Sequence, residues 1–158
     1  MRAPTPLAAL LAGALLGAPA AAQTAVPFGD LSQDTEAPVE LSADRLTVEE
    51  GGARAIMEGS VVVGQGDMRL AADRVEVDYL EGRIARLLAS GSVVLTQGED
   101  AAEAAEADYD IDRGTVILSG DVLVTQGAAA VAAERATVDL ETGRAVMEGR
   151  VRTVLGGP

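Results

Sequence analysis

The chain has 158 residues, 25 acidic against 12 basic, a formal charge of −13, and no His, Cys or Trp. That composition excludes a conventional zinc site, Cys or His nucleophiles and a Ser-His-Asp relay, and it is unfit for binding nucleic acid or anionic headgroups. Hydrophobic residues still reach 48%, nearly all Ala, Val and Leu with 2% aromatics, so the chain is a folded domain with small core side chains rather than an acidic tail.

Residues 1–22 are expected to be a signal peptide. Arg2 gives a short positive start, Leu7 to Gly17 is an apolar run, and Pro19-Ala20-Ala21-Ala22 before Gln23 supplies a small-residue cleavage pattern. The run is too short to span a bilayer as a helix, and with no Cys there is no lipoprotein anchor. Cleavage between Ala22 and Gln23 removes one Arg, so the exported chain is one charge more negative. An exported chain without cysteines takes no stability from disulfides. Residues 23–39 lack periodicity, contain Pro27 and Pro38, and are expected to be a flexible lead-in. The folded domain is expected over residues 40–156.

That domain repeats. Gly59-Ser-Val-Val-Val-Gly-Gln-Gly66, Gly91-Ser-Val-Val-Leu-Thr-Gln-Gly98, Gly120-Asp-Val-Leu-Val-Thr-Gln-Gly127 and a degenerate Gly149-Arg-Val-Arg-Thr-Val-Leu-Gly156 begin 32, 29 and 29 residues apart. A second phrase also recurs, as Ala43-Asp-Arg-Leu-Thr-Val48, Ala72-Asp-Arg-Val-Glu-Val-Asp78 and Ala133-Glu-Arg-Ala-Thr-Val-Asp139. Periods near 30 residues indicate stacked units, each covering its neighbour's open face.

Within each unit the apolar period is two. Met68, Leu70 and Ala72 alternate with polar or small neighbours, and Val75, Val77 and Tyr79 continue one residue out of phase. Such a slip across Asp73-Arg74 predicts a bulge or corner. Short strands are expected at 59–65, 67–72, 74–80 and 83–89, joined by Gly-bearing turns and corners. The stretch 101–107 is Ala-rich enough for a helix, but it occupies a strand register in the neighbouring units. Alternation alone leaves a barrel, a β-helix and an open sheet as alternatives. The small inward residues suit either a slender apolar trough for lipid chains or a thin two-sheet core.

The phrases Gly-Ser-Val-Val-Val-x-Gln-Gly at 59–66, Ala-Asp-Arg-Val-Glu-Val-Asp-Tyr at 72–79, Ala-Asp-Tyr-Asp-Ile-Asp-Arg-Gly at 107–114 and Val-Asp-Leu-Glu-Thr-Gly-Arg at 138–144 resemble the OstA/LptA family of periplasmic lipopolysaccharide-transport proteins. The resemblance runs from about Glu40 to Gly156. It implies an all-β fold, a twisted antiparallel β-jellyroll open along one side like a taco, built here from the repeats of about 30 residues. It also implies a non-enzymatic carrier, without cofactor, that holds lipid A acyl chains in an apolar groove. By edge-strand pairing, such carriers associate head to tail and bridge an inner-membrane LptC-like protein to an outer-membrane LptD-like translocon. A cleavable signal in place of a membrane anchor, and a length too short for a membrane barrel, favour the soluble member of that family.

Mapped onto the inward alternates, the groove candidates are Val61, Val63, Leu70, Val75, Val77, Val93, Leu95, Ile111, Val116, Leu118, Val122, Val124, Val138 and Leu140. Candidate partner contacts lie at the end strands, on Thr47, Val48, Val151, Val154 and Leu155, which carry little of the charge or Pro that protects a sheet edge. The acidity cannot attract a phosphorylated cargo and is expected to keep the exported chain in solution. Asp108-x-Asp110-x-Asp112 echoes the start of a calcium loop, but its Gly is one place late and position twelve is Ser119, so a solvated face is expected and no metal. The competing function is an exported structural or adhesive β-repeat protein that binds protein partners alone.

Overall fold

A computed structural model describes the backbone of residues 24–27 and the whole of residues 36–156; the signal segment and its cleavage point at Ala22 and Gln23 lie outside the described residues. Alternation over long stretches yields strands, and nothing else regular, among the described residues. They are β1 (Thr24–Pro27), β2 (Val39–Ser42), β3 (Arg45–Val48), β4 (Arg54–Gln65), β5 (Met68–Leu80), β6 (Arg83–Gln97), β7 (Asp100–Asp110), β8 (Thr115–Gln126), β9 (Ala129–Asp139), β10 (Arg144–Glu148) and β11 (Arg152–Leu155). Every neighbouring pair is antiparallel, in the order β1-β10-β9-β8-β7-β6-β5-β4-β2, with β3 also on β4 and β11 also on β9. The sheet is open, with strand edges at both ends. Residues 101–107 fall within β7, so register prevails over the helical propensity of alanine.

The short strands expected at 59–65, 67–72, 74–80 and 83–89 are instead halves of longer ones. β5 runs through Asp73-Arg74 without a break, and β6 is 15 residues long. The corners are bulges rather than ends. Gly59-Ser60 of β4 oppose the single Asp73 of β5, Gly91-Ser92 of β6 oppose Ala105 of β7, and Gly120-Asp121 of β8 oppose Glu134 of β9. The extra residue lies on β4, β6 and β8, which keep their apolar phase, and the opposed strands β5, β7 and β9 carry the one-residue slip while pairing continues. In each bulge both residues have positive φ, with Gly91 at 79° and Ser92 at 47°.

On its other flank each Gly meets the residue of the neighbouring strand. A Cβ on Gly59, Gly91 or Gly149 would collide with Asp44, Asp73 or Glu134. The two recurring sequence phrases are therefore the two sides of one feature: the acid of each Ala-Asp/Glu-Arg phrase covers a corner Gly. Aligned across the strands, the bulges form a crease that divides the sheet into two half-sheets. The first comprises β1, β3, β10 and residues 54–58, 74–80, 83–90, 106–110, 115–119 and 135–139. The second comprises β2, β11 and the remaining halves of β4 to β9. Their apolar faces pack together in one continuous core.

The Thr24–Pro27 strand lies within the segment expected to be a lead-in. It pairs with β10, at the opposite end of the sheet from β2 and β3.

Candidate functional site

The inward alternates meet between the half-sheets. Val75, Val77, Val116, Leu118, Val138 and Leu140 face inward from the first half, and Val61, Val63, Leu70, Val93, Leu95, Val122 and Val124 from the second; all are buried. Ile111, just past the end of β7, is half-buried against this core. Full burial of one such Val or Leu stabilises the fold by about 1.5–3 kcal/mol. The interior is thin. Alanines at 55, 72, 89, 102, 104, 107, 133, 136 and 145 share it, and a cavity of about 20 Å³ remains beside Leu95, Ala102, Val124 and Val138.

One polar link crosses this apolar interior. The Tyr109 hydroxyl, on the first half-sheet, donates to Gln65 Oε1 on the second at 2.5 Å, and Gln65 Nε2 donates to the Ala37 carbonyl at 3.0 Å. Gln65 is the one buried polar side chain in the described core, and Tyr109 is 1% exposed. Sequence reasoning passed over both. The usable signal was phase: Gln65 follows Val61 and Val63 on the inward alternates, so its amide requires an internal partner. Burial pushes the Tyr109 phenol up to about 12. A neutral phenol favoured by the fold stabilises it fully below the unfolded value near 10, and that contribution fades as pH rises through about 12. Denaturant midpoints of the wild type should therefore fall between about pH 10 and 12, and Tyr109→Phe should flatten that limb.

The two ends of the interior are not sealed by their own strands. Leu46 and Val48 on β3 stand opposite buried Met57 and Ala55, which places them on the inner face, yet each is 59% exposed. Thr47 lies between them with its side chain on the outer alternation. At the far end of the second half-sheet, Leu155 is 76% exposed and Val154 is 65% exposed, while Val151 is half-buried against the core. Four of the five edge candidates are thus exposed on terminal strands.

The outer face of the first half-sheet is a field of Arg–carboxylate pairs. Arg54 pairs with Asp78 at 2.8 Å, Arg74 with Glu58 at 2.8 Å and Glu76 at 3.1 Å, and Arg86 with Asp108. These pairs lie at the surface, partly exposed and screened by solvent, so each adds little to stability. The three acids of the calcium-like phrase have partners within the chain. Asp108 is held by Arg86, Asp112 by Arg83, and Asp110 accepts the Arg113 backbone N–H at 3.0 Å. Asp112 is in the turn after β7, not on the strand face expected for it. The Arg83 guanidinium lowers the Asp112 carboxyl below the usual carboxylate range. Among the described residues no group of acids is arranged to hold a metal ion.

A model of the family described as "LptA/(LptD N-terminal domain) LPS transport protein" matches residues 40–152, well over half of the chain. Among solved structures, the chain is similar to LptH of Pseudomonas aeruginosa, described as the LptA-homologous periplasmic component of the conserved lipopolysaccharide transport device. The two share 18% identity at a TM-score of 0.72, over 79% of this chain and 99% of that one. No curated protein sequence matches. A folded, creased sheet around one apolar core, and a family match across nearly every strand of it, place this chain in the LptA/LptD N-terminal domain family of lipopolysaccharide-transport proteins.

Proposed function

We propose that the chain is a non-enzymatic periplasmic carrier that shields lipid A acyl chains between its half-sheets and passes lipopolysaccharide from the inner toward the outer membrane. The observation that supports it best is continuity. The inner apolar row Leu46, Met57, Val75, Ala89, Ala107, Leu118, Ala136, Met147 crosses the first half-sheet from β3 to β10 without a polar side chain. Acyl tails need such a wall and few directed polar contacts. The half-sheets pack on each other in one core, and in this reading they part to take up acyl chains. The crease joins them on one side, and the hairpin turns on the other side lack ladder bonds between the halves.

The same register supports head-to-tail stacking. Extending the row that ends at Glu148 by one strand would place Arg45 of a second copy opposite it. The next rows would set Leu46 by Met147, Val48 by Ala145 and Glu49 by Arg144. On the other half-sheet, Leu41 would meet Thr153 and Val39 would meet Leu155. Opposite charges and apolar residues thus coincide without a change of register. LptC-like and LptD-like proteins would take the two ends of such a stack by the same strand addition.

The test is photo-crosslinking in cells. A crosslinker replacing buried Val77 or Leu95 should label lipopolysaccharide at least tenfold above one replacing Glu76 on the outer face. Equal labelling at the three positions, or none, defeats the proposal. Depletion separates it from the structural-protein alternative, because loss of a carrier strands lipopolysaccharide in the inner membrane.

A further inference from the structure

The two ends of the first half-sheet differ. At the β3 end, inner-face residues Leu46 and Val48 are exposed; at the β10 end, Ala145 and Met147 are both 0% exposed. What distinguishes the ends is β1, which takes the outer edge of β10 with Thr24 opposite Met147, Ala25 opposite Val146, Val26 opposite Ala145 and Pro27 opposite Arg144. β1 belongs to no repeat. It is four residues long and ends in a proline that has no N–H to donate to the ladder. It also returns from far away. The eleven residues 28–38 connect it to β2, at the opposite end of the strand order.

These positions coincide with those of the stacking register. Continued by one strand, the sheet sets Leu46, Thr47, Val48 and Glu49 of a second copy against Met147, Val146, Ala145 and Arg144. β1 fills the same four places, with Thr24 where Leu46 would stand, Ala25 for Thr47, Val26 for Val48 and Pro27 for Glu49. In those places β3 offers Leu46 at the first position and the carboxylate of Glu49 for Arg144 at the last, while Arg45 adds a partner for Glu148. By contrast β11, the matching edge of the second half-sheet, carries no further strand among the described residues.

We propose that β1 is a displaceable cap on the β10 edge, and that the strand which displaces it is β3 of a second copy. This rests on the head-to-tail stacking proposed above. β11 and the incoming β2 make the first joint, because neither edge carries a further strand among the described residues. β1 then yields β10 to the incoming β3, and the apolar interior becomes continuous between the two copies. Until then the cap closes one end of the interior and blunts an edge that would otherwise recruit strands indiscriminately.

A chain without cysteine allows direct disulfide trapping. In Ala25→Cys/Val146→Cys the two sulfurs belong to directly opposed residues, so oxidation at low protein concentration should give an intramolecular bond. In Thr47→Cys/Val146→Cys it should give ladders of linked copies, and adding Val26→Pro to that pair should form them at a protein concentration at least tenfold lower. The locked Ala25→Cys/Val146→Cys chain should sediment as a monomer where the wild type associates, and reduction should restore association; this arm stands even if Val26→Pro perturbs folding. Intermolecular bonds between positions 25 and 146 at dilution would overturn the cap in favour of strand exchange. Linked ladders whose yield is unchanged or lowered by Val26→Pro would overturn the cap and leave stacking intact. Absence of ladders even with Val26→Pro would overturn stacking and the cap together.

Discussion

Tyr109→Ala is expected to cost about 3–5 kcal/mol, the largest loss from any single truncation in this core. Tyr109 is the one large aromatic side chain buried in it among the described residues, at 1% exposure, with neighbours that are mostly Val and Ala. Small neighbours on extended strands cannot close around a lost ring, so most of its volume remains as a cavity. For a domain whose total stability is of order 5–15 kcal/mol, such a loss populates unfolded chain at ordinary temperature. Tyr109→Phe isolates the polar part. It keeps the ring and withdraws the hydroxyl donor from Gln65 Oε1, at a cost of about 1–2 kcal/mol. Urea titrations of the two variants measure both values. Equal losses would mean that the hydroxyl, not the ring, accounts for the residue's contribution. Because Tyr109 and Gln65 lie on opposite half-sheets, the Phe variant should also loosen the closed interior and raise lipopolysaccharide labelling at Leu95 relative to the wild type.

Alternation carried most of the fold. The inward assignment of Val61, Val63, Val75, Val77, Val116 and Leu118 follows from a period of two that needs no knowledge of partners, and each is fully buried. The one-residue slip at Asp73-Arg74 was legible for the same reason. What alternation cannot supply is distance between faces, so by itself it leaves a slender trough and a thin two-sheet core as alternatives. It is also silent on pairing partners. The Gly-Ser and Ala-Asp-Arg phrases recur separately along the chain, and their union at one crease depends on hairpin register. β1 was less accessible still. Thr24–Pro27 is short, aperiodic and proline-terminated, and a strand edge more than a hundred residues away, at β10, determines its place.

The crease makes the second large effect calculable. Gly120→Ala is expected to destabilise the domain by about 2–4 kcal/mol, from two separable sources. Gly120 has a φ of 81°, where any Cβ carries a penalty of about 1–2 kcal/mol. An added Cβ would also lie 2.7 Å from the Ala105 Cβ, inside van der Waals contact, with the nearest backbone atom of Ala105 at 3.7 Å. Overpacking by a single methyl group costs about 1–2 kcal/mol, at the low end of such changes. At the other three corners the covering residue is an acid, but here it is alanine, so Ala105→Gly removes the obstacle without touching a charge. The double variant should recover the steric share and retain the conformational one, giving a coupling energy of about 1–2 kcal/mol in a double-mutant cycle. Gly98→Ala provides the comparison. It lies in a turn at a φ of 59° with no atom within 4 Å of the added Cβ, and should lose about 1 kcal/mol, which Ala105→Gly leaves unchanged. If Gly120→Ala proves no worse than Gly98→Ala, the two half-sheets are not locked at the crease by close packing. The corner glycines then serve backbone conformation alone, and parting of the halves about that line meets little steric resistance.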